Sequence, residues 1–131
     1  MDASENDIQL GEWEITDDWL NDYLIAVSDT GVEYTKLGMV PSVAISSLVI
    51  GALLEKLGLP SGTIHSLQEI DTICPVFIGD LLRASAVIGQ TRQRGDLKFV
   101  TVSYSVNNAA GKEVQVGRST VLVPHEAAIE K

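Results

Sequence analysis

The stretch SDTGVEY, residues 28 to 34, sets a carboxylate, Asp29, and a phenol, Tyr34, five positions apart. A carboxyl group with an ordinary pKa of about 3.9 becomes a general base when burial raises that value. A phenol near 10 donates a proton or orients a water, but it does not cycle near neutrality as imidazole does. The pair reads as a catalytic couple, as the remains of one, or as a polar loop. In the last case Asp29 bonds nearby backbone N–H groups and Tyr34 is a half-buried packing residue.

Few other side chains offer chemistry. His65 lies in a strand-like segment, where it is either a hydrogen-bonded sheet residue or a substitute base; His125 follows Pro124 and reads as surface. Cys74 precedes Pro75 with no basic neighbour in sequence, and reads as a small buried residue rather than a nucleophile. One cysteine and two distant histidines make no zinc site, and the glycines at 51, 58, 62, 79, 89 and 95 form no phosphate-binding pattern. No metal or cofactor is expected.

The 131 residues are expected to form a single domain, 1–131, with 45% apolar and 21% charged residues, as in ordinary globular proteins. Eighteen Asp and Glu against nine Lys and Arg give a net charge of −9, which disfavours nucleic acid and anionic membrane as partners. Much of the excess sits in MDASENDIQLGEWEITDDWLND, read as an acidic N-terminal face in preference to an interaction tail. A single cysteine and a polar start without a secretory pattern suggest a reducing, cytoplasmic setting. The longest apolar run, VAISSLVIGALLEKLG, falls short of the ~20 residues that span a bilayer.

Thr16 can cap a first helix, with Asp17 and Asp18 near its positive end and Trp19, Tyr23 and Ala26 or Val27 recurring at helical spacing. The glycines and Pro41 of TGVEYTKLGMVP predict an ordered loop, so the opening motif sits on a loop. From Ser42 to Leu57 almost no polar face remains, which predicts a helix buried all round, with Ser42 as its cap, Gly58 at its end and Pro60 beyond. The period then changes from 3.6 to 2 in TIHSLQEIDTICPV, DLLRASAVIGQT, LKFVTVSYSV and KEVQVGRSTVLVP, with turns at QRGD and NAAGK. Val100, Val102, Tyr104 and Val106 share one strand face. The predicted class is α+β: a hot-dog fold, an antiparallel sheet wrapped around one long buried central helix.

This order, with LPSGTIHSLQEIDTICPVFIGDLL after the central helix, resembles the MaoC-like hydratases and dehydratases of the hot-dog superfamily over about residues 13 to 123. The most recognisable piece is CPVFIGDLL, where Pro and Gly allow a bend between two strands. The family's loop before the central helix carries an Asp and, five positions later, a His, which act on a water and on the α-carbon of an enoyl thioester. Asp29 matches the Asp, and Tyr34 stands where the His is expected. That departure is similar to variants found in subunits or halves that pair with a separate catalytic hot dog.

The resemblance implies an enoyl-CoA hydratase or 3-hydroxyacyl thioester dehydratase acting on an acyl-CoA or acyl-carrier-protein thioester. Asp29 would be the base, Tyr34 a proton donor, and the backbone N–H groups of Ser42 and Val43 the donors to the thioester oxyanion. The alternative is a non-catalytic subunit that binds acyl thioesters or pairs with a catalytic one. A hot-dog thioesterase is third, disfavoured because Glu55, the one carboxylate in the central helix, lies close to its C-terminal end. Either a homodimer or a heteromer with another hot-dog subunit is expected, because a lone sheet leaves an edge strand open.

Overall fold

Strands with apolar side chains at alternate positions need one face out of water, and here they form a five-stranded antiparallel sheet. The computed structural model describes residues 7–26, 38–58 and 63–124, without the side chains of His65 and Leu67. Asp29, Tyr34, Pro60 and His125 lie outside the described residues. In chain order the elements are β1 (Asp7–Glu14), α1 (Asp17–Ala26), β2 (Met39–Val40), α2 (Ser42–Leu57), β3 (Ile64–Thr72), β4 (Val76–Phe77), β5 (Leu81–Arg94), β6 (Leu97–Asn108) and β7 (Glu113–Pro124). The sheet order is β1-β5-β6-β7-β3, and β2 pairs with β4 in a separate ribbon.

Val100, Val102, Tyr104 and Val106 are all buried, as their alternation requires. Leu82, Ala84 and Ala86 of β5 and Val121 and Val123 of β7 extend the same face. Against it lies α2, whose Ala44, Ile45, Val49, Ile50 and Leu53 join those strand residues in one core. The expected turns connect the last three strands. Gly95 (φ 58°) and Gly111 (φ 82°) take left-handed backbone there, and the Asn108 carboxamide oxygen accepts from the N–H groups of Ala110 and Lys112 at 3.0 Å each. Gly58 ends α2 in the left-handed region (φ 57°, ψ 44°), its N–H bonded to the carbonyls of Leu54 and Glu55.

Two expectations for α2 are corrected. Ser42 does not cap the helix; Pro41, with extended backbone, occupies the cap position and brings no side-chain hydrogen bond. Ser42 is instead the first helical residue, and its hydroxyl bonds Thr72 Oγ1 at 2.7 Å. Nor is the helix buried all round: Val43 is 58% exposed, and Ser47, Gly51 and Glu55 continue that exposed line at four-residue spacing. A single sheet covers one side of a helix, so apolar composition alone overstates how much of it is enclosed.

The acidic N-terminal stretch is also more than a charged face. Its residues 7–14 form β1, an edge strand paired with β5, in which Glu12 faces Arg83 and accepts two of its N–H groups at 2.6 and 3.0 Å. At the other edge Glu69 of β3 pairs in the same way with Arg118 of β7. Thr16 caps α1 as expected, its hydroxyl accepting the Trp19 N–H at 3.1 Å. The helix buries Leu20 and Leu24, while Trp19 and Tyr23 stack on its half-buried flank with ring centroids 6.4 Å apart. No described helix is long and apolar enough to cross a membrane.

Leu53, 1% exposed, and Leu48, half-buried, separate enclosed from flanking positions on α2. Leu53→Ala is expected to cost about 2 to 5 kcal/mol in urea unfolding, and Leu48→Ala measurably less. Equal costs would show that the two faces are equally enclosed.

Candidate active site

The CPVFIGDLL segment bends as its Pro and Gly suggest, and the bend does structural work. Val76 and Phe77 of β4 pair with Val40 and Met39 of β2. Gly79 turns at φ 99°, the Asp80 carboxylate accepts the Phe77 N–H at 2.9 Å, and the Ile78 N–H bonds the Gly38 carbonyl at 2.8 Å. The ribbon is thereby fixed beside the first turn of α2. Between them and the adjoining ends of β3 and β7 lies a cleft of about 390 Å³. Ser42, Thr72, Cys74 and Gln115 supply its polar lining, among apolar groups that include Met39, Val40, Ile45, Ile73, Val76 and Val114.

Gln115 reaches this wall through a bulge. The β6–β7 ladder pairs Val106 with Gln115 and Asn107 with Glu113, which leaves Val114 as an extra residue. Its carbonyl accepts the N–H groups of Ile73 at 2.9 Å and Cys74 at 3.2 Å, and both Val114 and Gln115 are buried. The Gln115 amide is fully oriented. Nε2 donates to the Ser42 carbonyl at 3.0 Å, and Oε1 accepts the Tyr104 hydroxyl at 2.9 Å.

The phenol oxygen of Tyr104 also lies 3.3 Å from Ser46 Oγ, and Gln68 Nε2 donates to that same Oγ. Because a phenol carries one proton, donation to Gln115 leaves Ser46 to supply the second bond with its own hydroxyl hydrogen. The result is a directional chain running Gln68, Ser46, Tyr104, Gln115, Ser42, from β3 through the helix to β6, β7 and back to the first residue of α2. Gly117 faces Tyr104 across the ladder, and a Cβ at that position would strike the phenol ring. Burial pushes the Tyr104 pKa above its ordinary 10.0, partly opposed by its hydrogen bonds to Ser46 and Gln68.

Among the sequence candidates, Ser42 lines the cleft, and the N–H groups of Ser42 and Val43 have no backbone acceptor among the described residues. They sit at the positive end of α2, where the first N–H groups of a helix have no intrahelical acceptor. The Val43 side chain points to solvent. Cys74 is half-buried and lines the cleft, rather than lying fully inside the core. His65 pairs with Val121 in β3, seven residues before Thr72 and hence roughly 20 Å along the strand from the cleft. Asp29 and Tyr34 lie outside the described residues, on the segment between α1 and β2. The sequence alone does not single out Gln115, Gln68, Thr72 or Ser46, and it places Tyr104 only on one strand face with Val100, Val102 and Val106.

No protein-family model and no curated protein matches the sequence. Solved structures do match. An R-hydratase, PhaJ1, from Pseudomonas aeruginosa superposes with a TM-score of 0.74 at 19% identity, over 95% of this chain and 86% of that one. The 3R-hydroxyacyl-ACP dehydratase complex HadBC from Mycobacterium tuberculosis gives a TM-score of 0.71 at 17% identity, over 88% and 93%. A monoamine oxidase regulatory protein from an Archaeoglobus gives 0.76 at 20% identity, over 90% and 88%. The fold is the hot dog of the MaoC-like proteins. In this hot-dog chain the sheet's inner face carries buried polar groups, those of Tyr104, Gln115 and Ser119, among its aliphatic side chains.

The raised Tyr104 pKa has a thermodynamic consequence. The folded state favours the neutral phenol, so this contribution is intact below pH 10 and is lost as pH rises above 10 through the folded-state value. Tyr104→Phe should lower stability at neutral pH and flatten the alkaline loss seen in the parent. Parallel unfolding curves for parent and variant across that range would refute the coupling.

Proposed function

We propose that the protein is a MaoC-like enoyl thioester hydratase or dehydratase. The observation that carries this reading is the cleft at the first turn of α2, where the N–H groups of Ser42 and Val43 lack a backbone acceptor among the described residues. Those donors would receive the thioester oxygen as it gains charge. Asp29 would take a proton from water as its oxygen attacks the β-carbon, and Tyr34 would deliver or relay a proton to the α-carbon. Dehydration is the same path reversed. The substrate is an acyl-CoA or acyl-carrier-protein thioester in the cytoplasm, and no metal takes part.

A second reading is favoured by Tyr34 itself, which lacks the proton-cycling range of imidazole. In that reading the chain is a hot-dog subunit that binds acyl thioesters and pairs with a catalytic partner. Structural neighbours include the HadBC and ChsH1–ChsH2 complexes of Mycobacterium tuberculosis, the latter at a TM-score of 0.64. Both readings call for association. β3 is a sheet edge carrying Ile64 at 56% exposure, with Ile73 at 48% just beyond it, and α2 presents its open line of residues to solvent.

Incubation with crotonyl-CoA, followed by loss of the conjugated absorbance, tests the first reading. Tyr34→His is expected to raise that rate by about 100- to 10,000-fold, as a positioned acid or base does, and adding Asp29→Asn should abolish the gain. Turnover absent from both parent and Tyr34→His, with acyl-CoA still bound, would establish the subunit reading; thiol release would point to a thioesterase. Sedimentation at micromolar concentration should show a dimer, or a larger species with a co-expressed partner. A stable monomer would count against pairing in either form.

A further inference from the structure

We infer that Gln115 is a positioning residue for the Val43 N–H, acting on it through the carbonyl of Ser42; this rests on the acyl-thioester reading above. A peptide unit is planar, so the carbonyl of one residue and the N–H of the next are the two ends of one rigid group. The Val43 N–H therefore turns with the Ser42 carbonyl, and the Ser42 N–H with the carbonyl of Pro41. Whatever holds either carbonyl in the first turn of α2 also aims the N–H at the other end of its unit.

The two units are held differently. The Pro41 carbonyl accepts the N–H groups of Ala44 at 3.0 Å and Ile45 at 3.4 Å, so the Ser42 N–H is set by the helix's own backbone. The Ser42 carbonyl faces the Ser46 N–H in the helical pattern, and it accepts in addition the Gln115 amide at 3.0 Å. That second donor comes from the sheet. Gln115 is 2% exposed, and its Oε1 accepts the Tyr104 hydroxyl at 2.9 Å, so turning the amide aside breaks two bonds in a buried place. A donor on the Ser42 carbonyl also draws charge along the peptide unit, which makes the Val43 N–H a stronger donor to a thioester oxygen that is gaining charge. Neither effect requires Gln115 to touch the substrate.

Infrared difference spectra of the full chain with butyryl-CoA, isotope-labelled at the thioester carbonyl and too saturated to be hydrated, test this. Hydrogen bonding to that carbonyl lowers its stretching frequency, so the parent should lower it relative to free butyryl-CoA. Gln115→Met keeps the bulk of the side chain but removes its bonds, and should lose most of that shift. Leu53→Ala, a destabilised variant whose cavity lies in the core well along α2 from Ser42, should keep the shift whole, which separates aim from stability. Gln115→Met that folds, binds butyryl-CoA and shows the parent's full shift overturns the inference and leaves the acyl reading standing. Equal losses in Gln115→Met and Leu53→Ala overturn it as well. Should Gln115→Met not fold, Tyr104→Phe decides, because it frees the Gln115 amide to turn: a reduced shift supports the inference and a full one overturns it. Butyryl-CoA that does not bind the parent, or binds it without a shift, removes the reading of the Ser42 and Val43 N–H groups as oxyanion donors, and this inference with it.

Discussion

One side-chain amide fixes the helix to the sheet. Hydrophobic contact holds α2 against the strands, but it is non-directional and tolerates sliding and rotation. The Gln115 amide tolerates neither, because it donates to the Ser42 carbonyl and accepts from Tyr104. Leaving the buried Tyr104 hydroxyl unpaired costs about 1 to 3 kcal/mol, and both bonds weaken steeply with misplacement. The arrangement has its own requirements: a bulge at Val114 to turn Gln115 inward, and a glycine at 117 to seat the Tyr104 ring. Four positions on two strands thus determine where a helix begins.

That placement matters because the start of α2 is chemically open. A serine, threonine, asparagine or aspartate at the cap position would have taken up one of the first N–H groups. Pro41 has no side-chain acceptor, and its carbonyl takes the N–H groups of Ala44 and Ile45 rather than those of Ser42 and Val43, while the Ser42 hydroxyl accepts from Thr72. The donors therefore stay available while their positions are held by bonds made elsewhere, through a carbonyl and a hydroxyl. Rigidity and availability come from different atoms of the same residue.

Much of the architecture was legible in the sequence because it rests on period and punctuation. The change from 3.6 to 2 after Gly58 located the sheet, and Val100, Val102, Tyr104 and Val106 gave β6 its inner face. β1 escaped notice because an edge strand needs little apolar surface: of residues 7–14 only Leu10 is fully buried, and the acidic residues around it dominate the composition. The polar chain escaped for a different reason. In EVQVG, Val114 and Val116 invite a register that puts Gln115 outside, whereas the bulge reverses that assignment, and no local pattern announces a bulge. Asp29 and Tyr34 were legible only through family likeness, since an Asp and a Tyr in a loop have ordinary uses.

The sheet order also sets the sequence of assembly. β5, β6 and β7 join through short turns, but β1 finds its partner about 80 residues away, Asp7 lying opposite Val87, and β3 must wait for β7, with Ile64 opposite Leu122. Such distant closures carry their entropic cost before they bring any reward, and they slow folding. As the chain leaves the ribosome, α2 emerges well before Tyr104, Gln115 and Gly117 exist. A very apolar helix is thus synthesised long before the surface that receives it, and the bonds that hold its first turn are among the last that can form. The nascent chain spends that interval with its longest apolar run uncovered.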